Sequence, residues 1–300
     1  MGTEVPRSEH AHFEASSFTD RTLAYLLIAP TVTVLLALSI YPLIYSIRIS
    51  FQTGSGHATF ENFTRLFSDQ FFLSALLHTF VYAAIALTIE FFIGLGLALL
   101  LNEKMRGRNA FRALFLLPMM LPPVVVGVVW RLMLNSNFGA LNGTLKGFGV
   151  NTEALTWTAS PKLAMASVIM ADVWQWTPFM FVILLAGLTA IPPNLYEAAE
   201  LDGVNAWQAF WSITVPQLGS MILLAITFRL LDAVKLFDTI FIMTGGGPGT
   251  KTYTGSFYLY TVGFTQFHLS QATAGSWLFL IITALFVTFL VRRLLKAENA

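Results

Sequence analysis

The chain has 300 residues, of which 56% are apolar and only 11% are charged. Soluble domains carry about 25% charged residues, so this composition excludes an ordinary water-soluble domain. The formal net charge of +1 gives no basic excess for nucleic acid, and the lack of cysteine excludes disulfide scaffolds, thiolate metal sites and cysteine nucleophiles. We therefore expect an all-α membrane protein that lies in a lipid bilayer and binds no nucleic acid.

Six apolar stretches are long enough to cross a bilayer, which takes about 20 residues of helix. About twenty polar residues precede the first stretch and no small-residue cleavage site follows it, so we interpret it as a retained span rather than a signal peptide. The sequence thus predicts a tail at 1–20, one transmembrane domain at 21–297 and a short tail at 298–300. The six predicted spans, numbered one to six in chain order, are 23–49, 72–101, 111–134, 163–188, 218–243 and 272–291.

The basic residues predict which ends of the spans face the cytoplasm. Lys and Arg are concentrated before span one, between spans two and three, and after span six. Cytoplasmic loops carry an excess of these residues, so both termini are predicted to be cytoplasmic. The connection between spans four and five then lies on the same side, although residues 163–228 contain no Lys or Arg.

This connection is predicted to form two short helices joined by a glycine turn. Two consecutive prolines end span four, because proline cannot continue the helical hydrogen-bond ladder. Asn194 with Glu197 three residues on predicts a capping box, and Gly203 would end that helix. Asn205 with Gln208 repeats the arrangement before span five. We interpret the element at about 190–216 as a surface for interaction with another protein.

The motif in this element resembles the EAA signature of permease subunits of binding-protein-dependent ABC importers. It runs Glu197-Ala198-Ala199-Glu200-Leu201-Asp202-Gly203 and continues to Phe210, Ile213, Val215 and Pro216. The chain after residue 20 is similar to the carbohydrate branch of that family, of the maltose and glycerol-phosphate permease type (MalF- and UgpA-like). The residues that carry this similarity include Pro118, Pro122, Pro123, Trp130, Phe237-Asp238 and Thr244-Gly245-Gly246-Gly247-Pro248.

The resemblance implies a type I ABC importer (MetI-like) permease fold of six transmembrane helices in the cytoplasmic membrane of a bacterium or archaeon. It implies a non-catalytic subunit without a cofactor of its own, because ATP and Mg²⁺ bind the partner ATPase. The implied partners are a second homologous permease, two copies of the ATPase, an extracytoplasmic solute-binding protein and a carbohydrate-type solute. The residues that would couple the chain to the ATPase are Glu197, Ala198, Ala199, Asp202, Gly203 and Pro216.

Ionisable residues inside predicted spans are costly and normally face protein or a water-filled pathway. Arg229, Asp232 and Lys235 recur every three residues in span five, and Asp238 continues the series outward. They form either a nearly neutral structural ladder or a wall of the solute pathway. Glu90 in span two has no opposite charge within a turn, so it needs a span-five cation as a partner, or a proton.

Span four contains a polar and aromatic patch that includes Asp172, Trp174 and Trp176. Indole rings can cover the apolar face of a sugar while carboxylates bind its hydroxyls, but tryptophans are also common membrane-interface anchors. Both interpretations stay open. The candidate pathway residues are Asp172, Trp174, Trp176, Arg229, Asp232, Lys235 and Asp238.

Two other functions are weaker alternatives. A self-sufficient, ion-coupled secondary transporter would use Glu90 and Asp172 as coupling groups, but the sequence shows no inverted repeat. An intramembrane enzyme lacks a His-Glu-x-x-His motif. The glycine-rich segment 244–252 lacks the Gly-Lys pair of a phosphate-binding loop, so we do not expect it to bind nucleotide.

Overall fold

The computed structural model describes residues 17–53, 56–102 and 107–298. Of the two predicted tails, only 17–20 and 298 fall within these ranges, where they belong to the first and last helices. Two of the cationic residues between predicted spans two and three, Lys104 and Arg106, lie outside the described residues. The described chain is helical, apart from one isolated bridge between Gln52 and Ala58 and the connecting turns.

Thirteen α-helices and two single π-helical turns make up the described chain. The π-helical turns are Phe210–Thr214 and Thr261–Thr265. The helices are α1 (Ser17–Ser50), α2 (Glu61–Ser68), α3 (Gln70–Asn102), α4 (Arg108–Met120), α5 (Pro123–Met133), α6 (Ala140–Gly147), α7 (Ala164–Ala190), α8 (Pro193–Leu201), α9 (Ala206–Ala209), α10 (Val215–Ala233), α11 (Asp238–Met243), α12 (Gly255–Tyr260) and α13 (Leu269–Glu298).

The described helices supply five to six candidate spans where six are predicted. Within the described residues, five helices are long and apolar enough to cross a membrane: α1, α3, α7, α13 and the helix Ala206–Ala233 that ends with α10. The bent pair of α4 and α5 makes a sixth if it is counted as one span. Contacts divide the chain into two units, so α1 up to Ile49 is described by itself and the following account concerns the second unit.

Span three is broken rather than continuous. The sequence predicts one span at 111–134, but α4 and α5 meet at an angle of 96°. The break falls at Leu121 and Pro122, because two consecutive prolines cannot continue the ladder of α4. The freed carbonyl of Leu121 accepts a hydrogen bond of 3.0 Å from the Gln175 side chain of α7. A side chain thus satisfies backbone at the break, as the hydrocarbon region requires.

Span five begins earlier and ends earlier than the prediction of 218–243. The helix runs without interruption from Ala206 through the π-helical turn to Ala233. Asp238 begins a separate short helix, α11. Lys235 therefore lies in the connection between two helices rather than on a helical face.

The core is built around the close approach of α3 and α7. Small buried residues, including Ala83 and Ala86, line the side of α3 that packs in this core. Gly94 gives the closest contact, because a Cβ atom built there would lie 2.8 Å from the Cβ of Met180 and 3.1 Å from the backbone nitrogen of Phe181. Small residues at helix interfaces let backbones approach closely in membranes.

We predict that Gly94→Ala destabilises the protein by about 1–3 kcal/mol, because the added methyl group must push α3 away from α7. Gly96→Ala is the matched control, since nothing lies within 4 Å of a Cβ atom at that position on the same helix. Thermal unfolding of the purified protein in detergent measures the difference. Equal midpoints for the two variants would contradict the proposed packing constraint.

Candidate functional site

A buried cluster of charged side chains joins three spans. Arg229 of α10 donates from Nε to Glu90 Oε2 at 2.8 Å and from Nη2 to Glu90 Oε1 at 3.0 Å, which makes a two-pronged ion pair with α3. Its Nη2 also donates to Asp172 Oδ2 of α7. All three side chains are almost fully buried. The prediction that Glu90 pairs with a cation of span five is confirmed.

The cluster extends to a more accessible pair of charges. Arg229 Nη1 lies 3.4 Å from Asp232 Oδ2, and Lys235 Nζ lies 3.7 Å from Asp232 Oδ1. The Asp232 side chain is 46% exposed and that of Lys235 is 68% exposed. The ion pairs of the predicted ladder are present, but Arg229 also pairs with α3 and α7, and Lys235 joins from the turn after α10 rather than from the helical face.

A cavity of about 260 Å³ opens beside this cluster. The Trp176 ring faces the guanidinium group of Arg229, whose central carbon lies 5.3 Å from the ring centroid. Charged side chains, one amide and several aromatic rings share the wall, which is the mixed lining typical of small-ligand sites. Six of the seven candidate pathway residues line this cavity: Asp172, Trp176, Arg229, Asp232, Lys235 and Asp238.

The seventh candidate, Trp174, lies elsewhere. Residues two apart on a helix do not share a face, so Trp174 and Trp176 point in different directions from α7. Trp174 packs edge-on against Trp130 at 6.0 Å between ring centroids. It also lines a separate apolar groove with Pro118 and other residues of α4. The structure therefore does not bring Trp174 to the charged cavity.

Tyr82 is one of the lining residues that sequence reasoning did not select. Tyr82 of α3 is fully buried and lines the cavity. Its hydroxyl lies near the Asp172 carboxylate of α7. The available signal was its position eight residues before Glu90, which places both side chains on one face of the helix.

The EAA motif occupies α8 and the turn that follows it. The predicted capping box at Asn194 is wrong, because α8 begins at Pro193 and Asn194 already lies in its first turn. The second box is confirmed: the Asn205 side chain accepts from the Gln208 backbone at 2.9 Å, and the Gln208 side chain accepts from the Asn205 backbone at 3.0 Å. Gly203 ends the motif with φ of +75°, as predicted for a helix-ending glycine.

Most coupling candidates are exposed on this element. The exposed ones are Glu197, Ala198, Asp202, Gly203 and Pro216, whereas Ala199 is buried against the protein. The hydroxyl groups of Tyr196 and Thr214 lie 2.9 Å apart, and their hydrogen bond ties α8 to the π-helical turn before α10. Leu201 was not among the candidates, although it is 90% exposed at the end of α8. Trp207 and Trp211 of the same element are exposed as well, and patches of exposed apolar side chains mark sites of contact with other proteins.

Sequence comparisons identify relatives along nearly the whole chain. The family model described as "Binding-protein-dependent transport system inner membrane component" matches residues 90–297. The trehalose/maltose transport system permease protein MalF of Thermococcus litoralis is 34% identical over 280 residues, which cover 91% of this chain and 93% of the relative. The sulfoquinovosyl glycerol transport system permease protein SmoG of Agrobacterium fabrum is 36% identical over 264 residues, which cover 85% of each chain.

Structure comparison supports the same fold. A chain of a bacterial ABC transporter involved in the import of the acidic polysaccharide alginate superposes with a TM-score of 0.81 at 25% identity. The match covers 92% of this chain and 97% of that one. A chain of the MetNI methionine ABC transporter shares the fold at a TM-score of 0.50.

We predict that Arg229→Gln destabilises the protein by about 3–5 kcal/mol, because it leaves the buried carboxylates of Glu90 and Asp172 without their counter-charge. Asp232→Asn is the control, since that half-exposed partner should contribute at most about 1 kcal/mol. Thermal unfolding in detergent compares the two. A loss as large for Asp232→Asn as for Arg229→Gln would contradict the assignment of the buried pairs as the main contribution.

Proposed function

Because the chain belongs to the family of binding-protein-dependent transport system inner membrane components, we propose that it forms half of the translocation pathway of an ATP-driven carbohydrate importer. Its family role is transport, not catalysis. A second, homologous permease subunit would form the other half of the pathway. An extracytoplasmic binding protein would deliver the solute, and both termini of this chain would face the cytoplasm.

The cavity beside Arg229 carries the proposal. It gathers carboxylates, an amide and an indole ring from α7, α10 and α11 at one place, beside Tyr82 of α3. Carboxylates accept hydrogen bonds from solute hydroxyls, and aromatic rings cover the apolar faces of sugar rings. The relatives agree with such a solute, since they are named as permeases for trehalose and maltose and for sulfoquinovosyl glycerol.

The element from α8 to α10 supports coupling to a separate ATPase. Its helix is held at the base by the Tyr196 to Thr214 hydrogen bond, and it presents Glu197, Ala198 and Leu201 outward. Hydrolysis in another subunit moves membrane helices only through a contact that differs between two states. We propose that two copies of an ATPase bind ATP and Mg²⁺, that one of them docks on this element, and that this chain binds no cofactor.

A self-sufficient secondary transporter is the competing function. Its coupling groups would be Glu90 and Asp172, but both carboxylates already pair with Arg229. Reconstitution in liposomes separates the two functions. We expect the purified chain alone to transport nothing, and the full assembly to hydrolyse ATP faster when binding protein and solute are added. Transport of solute by the chain alone, driven by an ion gradient, would exclude the importer proposal.

We predict that Leu201→Ser weakens retention of the ATPase during purification, because it removes the exposed apolar contact at the end of α8. The expected loss is on the order of tenfold in affinity, typical of an apolar anchor at an interface. Phe148→Ser is the matched control: Phe148 is 87% exposed, but it follows α6 on the predicted opposite side of the membrane. Equal loss of ATPase in both variants would argue against docking at α8.

Gly203 offers a second test of the same element. We expect Gly203→Val to lower stimulated ATP hydrolysis several-fold, because φ of +75° is strained for a β-branched residue. Nothing lies within 4 Å of a Cβ atom there, so backbone strain rather than a clash is the expected cause. Gly143→Val, at a glycine that also has open space and has no positive φ, is the control. Unchanged stimulation in Gly203→Val would contradict the requirement for this turn.

We predict that Asp232→Asn changes transport kinetics while the complex still assembles, because Asp232 lines the cavity and is half-exposed. The expected effect is a several-fold change in the solute concentration that gives half-maximal transport, as for loss of one hydrogen-bond acceptor. Uptake by proteoliposomes measures the transport kinetics, and the subunit stoichiometry measures assembly. Loss of assembly without a kinetic change in the remaining complex would favour a purely structural role.

A further inference from the structure

We infer that the cavity beside Arg229 selects uncharged solutes over anionic ones. The inference rests on the proposed function and names the solute class of that same site. The relatives do not decide between the two classes. One is named for the uncharged sugars trehalose and maltose, whereas a structural relative imports an acidic polysaccharide. The balance and arrangement of charges around the cavity favour the uncharged class.

Acidic groups outnumber basic groups at this site. Three carboxylates, those of Asp172, Asp232 and Asp238, line the cavity against two cations, Arg229 and Lys235. Glu90 adds a fourth carboxylate directly behind the guanidinium group. Even with one of the buried carboxylates protonated, an excess of one negative charge remains. An excess of one sign of charge in a cleft raises the local concentration of the opposite sign and lowers that of its own.

The N–H groups of Arg229 already face protein carboxylates, so few of them remain to bind an anion. Nε and Nη2 donate to Glu90, Nη2 also donates to Asp172, and Nη1 lies 3.4 Å from Asp232. One face of the group is covered by Trp176 at 5.3 Å. Arginine binds phosphate or sulfonate through its free N–H groups in a planar fork, and here that fork points at protein carboxylates.

The second cation is also paired. Lys235 lies 3.7 Å from Asp232, at the exposed end of the cluster. The only cation of α5, Arg131, donates to the carbonyl of Ile242 at the far end of α11 and does not line the cavity. Among the described residues, no unpaired cation therefore faces the space that a solute would fill.

The carboxylates of the wall suit a hydroxyl-bearing ligand. A solute hydroxyl can donate to Asp172 or Asp238, whereas an anionic oxygen has no proton to donate to them.

A single introduced thiol can measure the potential in the cavity, since the chain has no cysteine of its own. The test uses the complete importer complex carrying Leu236→Cys at the cavity wall, with Thr239→Cys as a second position. Trimethylammonium-ethyl and sulfonato-ethyl methanethiosulfonate serve as the cationic and anionic probes. Mass spectrometry of this chain's peptide gives both rates, and their ratio, normalised to a free thiol, cancels differences in thiol reactivity.

We expect the normalised ratio to favour the cationic probe at least about tenfold, within the range that focused fields produce in clefts. Asp238→Asn in the same background should lower this normalised ratio by about threefold. Phe148→Cys, exposed away from the cavity, is the control. A ratio at position 236 or 239 no greater than that at position 148 would overturn the inference.

A matched pair of solutes links the potential to binding. Trehalose should slow labelling at position 236, and trehalose 6-phosphate, which differs by one anionic group, should do so at least about tenfold less well. Equal protection by the two, or protection by neither, would overturn the inference. ATP hydrolysis stimulated by binding protein is measured in the same complex. Its absence would reject the importer proposal, whereas normal stimulation with an unselective cavity would reject the charge inference alone.

Discussion

The ion pairs of Arg229 with Glu90 and Asp172 are the constraint on which the second unit of the structure depends. Charged groups removed from water lose several kcal/mol of hydration each, so they are tolerated only with good geometry and full pairing. Here the two carboxylates come from α3 and α7 and the guanidinium group from α10. Three spans must therefore keep one relative register, because a shift of any of them would leave a buried charge without its partner.

This register also fixes the cavity. Arg229 holds the Trp176 ring on one side and Asp232 on another, and all three line the same space. The polar wall of the cavity is therefore formed by residues whose main contacts hold the spans together. A structural and a pathway role for these side chains, which look like alternatives in the sequence, are compatible in the folded chain.

The sequence predicted those features whose signals are local. The prolines, the Asn205 capping box and the Gly203 turn depend on neighbours within a few residues, and the last two are present as predicted. The need of Glu90 for a partner was also predictable, since an unpaired charge in a span is costly.

What the sequence could not predict depends on contacts between distant segments. The Asn194 box failed because Pro193 starts the helix two residues earlier than the capping pattern requires. The 96° break in span three depends on Gln175, fifty-four residues beyond Leu121, to satisfy the freed carbonyl. Trp174 lies away from the site because residues two apart on a helix point in different directions. Selecting residues by polar or aromatic type alone does not take this into account.

If an ATPase docks at α8 as proposed, the same interactions connect that contact to the cavity. The hydrogen bond from Tyr196 to Thr214 connects α8 to the start of α10, and Arg229 lies fifteen residues further along. A helix rises about 1.5 Å per residue, so about 22 Å of continuous helix separates this contact from the buried cluster. A displacement of α8 would move α10 as a rod, and its far end carries the one guanidinium group that α3 and α7 both require. The three spans would then move together or the buried pairs would separate, and the cost of separation favours a change between discrete arrangements over gradual deformation.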